Sequence, residues 1–132
     1  MWHLAQPLAT WADFLVCAAP GGAETRHLVN ADVLTALGPE GYVVNVGRGT
    51  VVDTAALIDA LESKRIGGAG LDVLEGEPSV PPLLPKLLQF ENVVITPHVA
   101  GRAPEARTAA TALTIDNLNA HFAGKPLLTP VG

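Results

Sequence analysis

The sequence has few cysteines, few aromatic side chains and little positive charge. Its one cysteine, Cys17, cannot close a disulfide within the chain, and only 5% of the residues are aromatic. Eight lysines and arginines stand against 13 acidic residues, which gives a net charge of −5. A nucleic-acid-binding domain needs a clustered basic face, so we expect no nucleic-acid partner.

Long hydrophobic runs and metal-ligand motifs are also missing from the sequence. No apolar stretch approaches the roughly 20 residues of a membrane-spanning helix, and the first residues lack the pattern of a signal peptide. There is no CxxC pair and no dense group of histidines and cysteines, so no metal site is predicted. We therefore expect a cytoplasmic protein without a membrane partner. Because Cys17 lies in an apolar run, it is expected to be buried and unreactive.

The apolar content that is present suffices for the core of one domain, since 48% of the 132 residues are hydrophobic. Four short apolar runs predict β-strands. Because their apolar residues are continuous and do not alternate with polar ones, the runs are typical of parallel strands buried on both faces. They cover residues 14–19, 42–46, 69–74 and 93–96.

Helical segments lie between these runs and after them. Asn30 is a predicted N-cap for a helix over 31–37, Asp53 for a helix over 54–64, and Pro104 suits the first turn of a helix that reaches residue 123. In the last helix, apolar side chains recur every three or four residues and predict one buried face, formed by Ala112, Ile115, Leu118 and Phe122. The alternation of strand and helix predicts an α/β fold with a parallel sheet.

Unusual side chains follow the predicted strands, at the sheet edge where α/β proteins bind ligands. Arg48 stands between Gly47 and Gly49, directly after the second strand. Its guanidinium could bind a carboxylate through two hydrogen bonds, and the two glycines would let the backbone approach a ligand closely. This pattern favours a binding role for Arg48 over that of an ordinary surface arginine.

His98 follows the fourth strand, and histidine can exchange a proton near neutral pH. A carboxylate nearby would hold the imidazolium form in place, and both Glu75 and Glu77 could supply it. Asp72 lies within an apolar strand, so it either caps a neighbouring turn or faces a bound ligand. The other histidines, His27 among them, show no such signal.

Four segments of the chain resemble the D-isomer-specific 2-hydroxyacid dehydrogenases. They are TRHLVN at 25–30, VNVGRGTVVD at 44–53, GAGLDVLEGEP at 68–78 and NVVITPH at 92–98. The resemblance runs from Ala12 onward, and the C-terminal end is most similar to the glyoxylate/hydroxypyruvate reductase branch. It implies a partial Rossmann-like, doubly wound parallel sheet, corresponding to the second half of a dinucleotide-binding domain. Residues 1–132 would form this partial domain, with 104–132 as its C-terminal helix and return segment. The substrate domain and the GxGxxG unit that precede it in the family are expected to be absent. One face of the sheet and the apolar face of the last helix are therefore expected to stay exposed to water in this chain.

The resemblance also implies roles for individual residues. Arg48 would bind the substrate carboxylate and polarise the carbonyl, His98 would be the general acid/base that also contacts substrate, and Glu77 would be its partner. Asp72 would lie near the nicotinamide. Cofactor contacts would come from Pro20, Val46, Gly47, Arg48, Asp72, His98 and Gly101.

The implied activity is hydride transfer between NADH or NADPH and a 2-oxo acid such as glyoxylate, hydroxypyruvate or hydroxyphenylpyruvate. The branch resemblance slightly favours NADPH. A homodimer is expected for the full-length form, and little activity is expected from the isolated chain. One alternative is an inactive truncated fragment that acts as a binding or assembly module. Another is a regulatory relative, which ranks last because no nucleic-acid-binding surface is predicted.

Overall fold

A computed structural model of the chain describes residues 5–130. The chain divides into two compact units, Met1–His98 and Val99–Gly132. Among the described residues, no helix is both long enough and apolar enough to cross a membrane.

The first unit is built on a four-stranded parallel sheet. Its strands are β1 (Phe14–Cys17), β2 (Tyr42–Asn45), β3 (Gly68–Leu71) and β4 (Val93–Ile95), and they lie side by side in chain order. Asn45 pairs with Cys17 on one side and with Leu71 on the other, so the strands end at the same level. The predicted α/β class and all four strands are confirmed, although each strand is shorter than its apolar run. The remaining residues of each run lie in the loops beyond the strand end.

Four helices accompany the sheet in the described part of this unit, and two of them begin at the predicted N-cap residues Asn30 and Asp53. The helices are α1 (Ala5–Ala9), α2 (Ala31–Leu37), α3 (Thr54–Glu62) and α4 (Leu84–Leu87), with a 3₁₀ turn at Gly49–Val51. The side chain of Asn30 accepts hydrogen bonds from the backbone N–H groups of Asp32 and Val33, each at 3.1 Å. Asp53 caps α3 in the same way. These bonds satisfy N–H groups that the first helical turn leaves without partners.

The helices of this unit cover one face of the sheet and leave the other exposed, as expected from the resemblance, although the apolar runs alone predicted burial on both faces. Leu15 and Val43 point into a core that includes side chains from α2 and α3, among them Leu34 and Leu57. On the opposite face Phe14, Val16, Tyr42 and Val94 are exposed, and the rings of Phe14 and Tyr42 stack at 5.5 Å. The strands are added in one direction by connections of the same hand, so the intervening helices return on the same side.

In the second unit, a 3₁₀ turn at Ala100–Arg102 leads into α5 (Pro104–Phe122). The predicted helix is confirmed, and its apolar face is exposed in this chain: 52% for Ile115, 51% for Leu118 and 83% for Phe122. The segment after the helix is held instead by Asn117, whose side-chain oxygen accepts from the N–H of Leu128 at 3.0 Å. This attachment leaves the apolar face uncovered within the unit.

Gly47 and Gly49, which flank Arg48, are packed against other parts of the chain. A Cβ on Gly47 would lie 2.5 Å from the carbonyl oxygen of Ala19, and one on Gly49 would lie 2.1 Å from the carbonyl carbon and oxygen of Leu74. In the structure the close approach at these two glycines is between backbone segments of the protein itself, and the approach of a ligand to them stays a prediction.

The burial of Cys17 predicts that its thiol reacts slowly in the folded chain. Burial raises the pKa of the Cys17 thiol from its ordinary 9.0 to about 11, and the side chain is only 7% exposed. Two pKa units correspond to about 100-fold less thiolate at a given pH below 9. We expect a disulfide reagent to modify the native chain at least about 100-fold more slowly than the urea-unfolded chain. Equal rates would show that the thiol is accessible.

The same shift fixes the sign of a pH effect on stability. The folded state favours the neutral Cys17 thiol over the thiolate. The contribution of this preference to the free energy of unfolding is complete below about pH 9 and is lost as the pH rises through about 11. Urea unfolding of the parent and of Cys17→Ala at several alkaline pH values measures this difference.

Substitution of Gly49 tests the close backbone contact. In Gly49→Ala, the new Cβ would meet Leu74 backbone atoms at 2.1 Å, which cannot move aside as a flexible side chain would. We expect the free energy of unfolding in urea to fall by about 1–3 kcal/mol. The matched control is Gly70→Ala, where a Cβ would meet Val44 at an ordinary 3.7 Å. A loss at Gly49 no larger than that at Gly70 would contradict the prediction.

Candidate functional site

The carboxyl ends of the four strands form one edge, and hydrogen bonds extend beyond the strands there. The N–H of Asp72 donates to the carbonyl of Asn45 at 2.9 Å, and that of Thr96 donates to Leu71 at 3.0 Å. The N–H of His98 then donates to the carbonyl of Asp72 at 2.9 Å. The loop after β3 and the turn after β4 are thereby held together at this edge.

His98 and Glu77 meet at the edge. Nδ1 of His98 lies 2.8 Å from Oε2 of Glu77, and the other carboxylate oxygen of Glu77 accepts from the N–H of Leu74 at 2.8 Å. An ionised carboxylate can only accept, so Nδ1 carries the hydrogen and Nε2 is the nitrogen left for other partners. His98 has a φ of 53°, a left-handed conformation that side-chain-bearing residues rarely adopt and that often occurs at functional sites.

Arg48 is held on a loop that Asn45 shapes. The fully buried Asn45 side chain accepts from the N–H of Gly47 at 3.1 Å and donates to the carbonyl of Arg48 at 3.0 Å. The Arg48 guanidinium donates to the carbonyl of Gly47 at 2.8 Å, and within residues 5–130 it forms no salt bridge with a carboxylate. Through these two bonds Asn45 fixes the loop that follows β2. This role was not predicted from the sequence, although a polar residue at the end of an apolar strand is a signal for it.

A cleft of about 340 Å³ brings these side chains together. Arg48, Glu77 and His98 all line it, together with Gly21 and Pro78. A larger cleft of about 590 Å³ runs along α5, but Arg107 is the only charged residue in its lining. Of the two clefts, only the smaller combines a guanidinium group with a histidine–carboxylate pair, so it is the better candidate for a reaction site.

Asp72 is a buried acid at the same edge. Its side chain is 5% exposed, and Oδ1 accepts from the hydroxyl of Thr96 at 2.5 Å. Burying a carboxylate is costly, and a hydrogen bond to it offsets part of that cost. The bond also ties the end of β3 to the turn that carries His98.

The other predicted cofactor residues are distributed over three places. Pro20 follows β1, and its carbonyl accepts from the Thr25 hydroxyl at 2.7 Å. Val46 lies just beyond β2 and is 40% exposed, whereas Gly47 is buried against the loop after β1. Gly101 lies in the 3₁₀ turn of the second unit. Across residues 5–130, no three His, Cys, Asp or Glu side chains are grouped in a way that could hold a metal ion.

The structure contains a second histidine–carboxylate pair, which was not predicted from the sequence. Nε2 of His27 lies 2.9 Å from Oε1 of Glu75, which Arg26 also contacts at 3.1 Å. The sequence left Glu75 and Glu77 as alternative partners for His98. The structure places Glu77 at His98 and Glu75 at His27. The sequence contains a signal for this second pair, because the loop has two glutamates and pairing one of them with His98 leaves the other without an assigned partner.

Comparisons with known proteins identify the family of the chain. The family model for "D-isomer specific 2-hydroxyacid dehydrogenase, NAD binding domain" matches residues 3–100. Over 124 residues, the chain is 52% identical to hydroxyphenylpyruvate reductase from Plectranthus scutellarioides and 48% identical to 2-ketogluconate reductase from Gluconobacter oxydans. In each case the match covers 94% of this chain and 39% of the relative.

A solved structure gives the same result. It is an NADPH-dependent glyoxylate/hydroxypyruvate reductase from Sinorhizobium meliloti in complex with NADP and malonate. The chain superposes on it with a TM-score of 0.83 at 49% identity, and the match covers 97% of this chain and 39% of that one. The chain thus spans about two-fifths of the length of the relatives it matches. The predicted family and Rossmann-type fold are confirmed: the chain belongs to the D-isomer-specific 2-hydroxyacid dehydrogenases, within their NAD-binding domain.

Proposed function

We propose that the chain carries the proton-transfer and carboxylate-binding groups of an NAD(P)-dependent reductase of 2-oxo acids. The observation that carries the proposal is the 2.8 Å contact between His98 and Glu77 in a cleft that Arg48 also lines. The relatives support it, since they are named for the reduction of hydroxyphenylpyruvate, 2-ketogluconate and glyoxylate or hydroxypyruvate. They do not favour the alternative of an inactive binding module. The substrate proposed for this chain is therefore a small 2-oxo acid.

Two features of a 2-oxo acid match side chains of the cleft. Its carboxylate suits the planar fork of Arg48, which can form two hydrogen bonds to it and place positive charge near the adjacent carbonyl. Its keto oxygen needs a proton during reduction, and Nε2 of His98 is the nitrogen that can supply one. Arg48 is proposed to bind and polarise the substrate, and His98 to be the general acid.

Glu77 supports His98 from the other side of the ring. Its carboxylate accepts from Nδ1, which fixes the ring orientation and stabilises imidazolium before the proton moves. During reduction the proton passes from Nε2 of His98 to the keto oxygen; in the reverse direction Nε2 takes it from the hydroxyl. When bound, NADH or NADPH supplies the hydride that the keto carbon receives.

The residues at the sheet edge fit the nicotinamide end of such a cofactor. Val46 and Asp72 each follow a strand end, on strands whose register pairs Asn45 with Leu71. An exposed apolar side chain and a carboxylate on neighbouring strands suit an aromatic ring that carries a carboxamide. The printed sequence contains no GxGxxG motif, so no pyrophosphate site is assigned to it. The proposed cofactor contacts are Pro20, Val46, Gly47, Arg48, Asp72, His98 and Gly101.

The wider organisation of the enzyme is also proposed. We take residues 1–132 as part of an NAD(P)-binding domain, with 104–132 as its C-terminal helix and return segment. The choice between NAD and NADP, the homodimeric full-length form and the cytoplasmic location stay predictions.

The proposed function is tested by assaying the longest polypeptide that contains this chain. Glyoxylate, hydroxypyruvate and hydroxyphenylpyruvate are each supplied with NADH and with NADPH, and oxidation of the cofactor is followed. Glycolaldehyde is the control, since it has a carbonyl but no carboxylate for Arg48. Turnover of a 2-oxo acid without turnover of glycolaldehyde is expected. Absence of turnover with all three acids and both cofactors would contradict the proposal.

The role of Arg48 is tested by Arg48→Lys. An ammonium keeps the charge but cannot reproduce two parallel hydrogen bonds to a carboxylate. We expect kcat/KM for 2-oxo acids to fall by at least about tenfold, the equivalent of about 1.4 kcal/mol. Arg107→Lys on α5 is the matched control and is expected to leave the kinetics unchanged. Unchanged kinetics in Arg48→Lys would remove Arg48 from the site.

The His98–Glu77 pair makes a prediction about the rate of reduction. His98→Ala is expected to lower that rate by about 10²–10⁴-fold, since the proton donor is lost. Glu77→Gln removes the carboxylate that orients the ring, so a smaller loss, up to about 10²-fold, is expected. Glu91→Gln, in an exposed loop, is the control. A Glu77→Gln variant that keeps the rate of the parent would show that Glu77 is not the partner of His98.

A further inference from the structure

The loop after β3 carries two glutamates, and each binds a different histidine. Glu77 binds His98 at 2.8 Å and Glu75 binds His27 at 2.9 Å. Gly76 between them has a φ of 109°, which glycine tolerates and other residues rarely adopt. The loop is therefore attached at both ends of a three-residue turn, and the two carboxylates have separate partners.

The attachment of Glu75 is the more extensive of the two. Its Oε1 is within hydrogen-bonding distance of His27 at 2.9 Å and forms an ion pair with Arg26 at 3.1 Å, and its side chain is 26% exposed. On the other side of the His27 ring, Nδ1 lies 3.5 Å from a carboxylate oxygen of Asp53. The charged and titratable groups around His27 are thus Arg26, Asp53 and Glu75.

The backbone holds His27 in place independently of its ring. Its φ of 51° is left-handed, and its N–H donates to the carbonyl of Thr50 at 2.8 Å. Two further bonds, from Val29 to Val51 and from Asp53 to Val29, join the same two segments at 3.0 Å each. Several hydrogen bonds therefore maintain a backbone conformation that residues with a Cβ rarely adopt. His27 is fixed to the segment that directly follows Arg48 and Gly49.

We propose that Arg26 and His27 are positioning residues that clamp Glu75 and thereby present Glu77 to His98. The inference rests on the proposed function, in which the His98–Glu77 pair transfers the proton. With Glu75 bound to the clamp, the 74–77 loop has one arrangement, in which Glu77 accepts from Leu74 and from His98. Without the clamp, Glu75 is released, the loop samples other arrangements, and Glu77 holds the His98 ring for only part of the time.

The test compares two substitutions of His27 that differ in the hydrogen bond to Glu75. His27→Leu cannot donate to Glu75, whereas His27→Gln keeps an N–H donor. Both carry a Cβ without branching, so both bear a similar cost at a φ of 51°. A merely structural role for His27 would affect the two variants alike, while a clamp predicts rescue by glutamine.

The first measurement needs neither cofactor nor substrate. Long-range ¹⁵N–¹H spectra of the histidine rings, recorded on the 132-residue chain, report which nitrogen of neutral His98 carries the hydrogen. We expect the Nδ1–H form to predominate in the parent and in His27→Gln, and both forms to be populated in His27→Leu, as in Glu77→Gln. Parent-like His98 signals in a folded His27→Leu chain would overturn the proposal.

Arg26 supplies a second test if His27→Leu does not fold. Its side chain is 56% exposed, so Arg26→Met should leave the core intact, and Arg26→Lys is its charge-keeping control. We expect Arg26→Met to change the His98 signals in the direction of Glu77→Gln, with Arg26→Lys closer to the parent. Identical His98 signals in the parent and Arg26→Met would overturn the clamp.

Kinetics separate failure of the clamp from failure of the proposed function. In the polypeptide that reduces 2-oxo acids, His27→Leu is expected to lose about 5- to 20-fold in kcat with less than about a twofold change in KM, because proton transfer and not substrate binding is affected. A parent without reductase activity would contradict the proposed function alone, and the His98 spectra would still decide the clamp. A kcat that is the same in the leucine and glutamine variants would contradict the clamp alone.

Discussion

The backbone of Gly49 touches the backbone of Leu74, and no side chain fits between them. This contact sets the spacing of the candidate site, because each of the two segments carries part of it. Arg48 immediately precedes Gly49, and the N–H of Leu74 holds Glu77. The distance between the Arg48 guanidinium and the Glu77 carboxylate therefore depends on the absence of a Cβ at Gly49. Several glycines in motifs of this kind are explained by packing of the protein on itself before any ligand is considered.

The sheet edge adds the remaining members of the site by hydrogen bonding in sequence. Asn45 bonds to Asp72, Asp72 bonds to His98 through its carbonyl, and Thr96 bonds to the Asp72 side chain. The strands are parallel, so their carboxyl ends lie together and the loops that follow them can meet. The three residues of the candidate site, Arg48, Glu77 and His98, are far apart in sequence. They are neighbours because the register of four short strands makes them so.

Local features of the fold were predictable from the sequence because their physical causes are local. Asn30 and Asp53 cap their helices through side chains two and three residues from the N–H groups that they bind. The apolar runs identified the strands in the same way, and the order of Arg48, Glu77 and His98 along the chain indicated one edge. Burial of the strands on both faces, which the apolar runs alone predicted, depends on non-local information. Phe14 and Val16 are as apolar as buried strand residues, and nothing in their run shows that the helices of the first unit lie on the other face.

The choice between Glu75 and Glu77 shows the same limit at the scale of single atoms. Both glutamates flank Gly76 and have the same chemistry, so sequence spacing cannot tell which one faces His98. In the structure Glu75 pairs with His27, which is 48 residues away and is positioned by its backbone bond to Thr50. The face of α5 shows the same limit. Helical periodicity identifies Ile115 and Leu118 as one side of the helix, but not what packs against that side.

The uncovered sheet face also has a thermodynamic consequence. Phe14 is 64% exposed, Val16 60% and Val94 66%, so much of their apolar surface is hydrated before the chain unfolds. The heat capacity of unfolding follows the apolar area newly exposed to water. For this chain that increment should lie below the average for its length, which flattens the curve of stability against temperature. Cooling would then weaken the fold less than it weakens a domain whose sheet is covered on both sides.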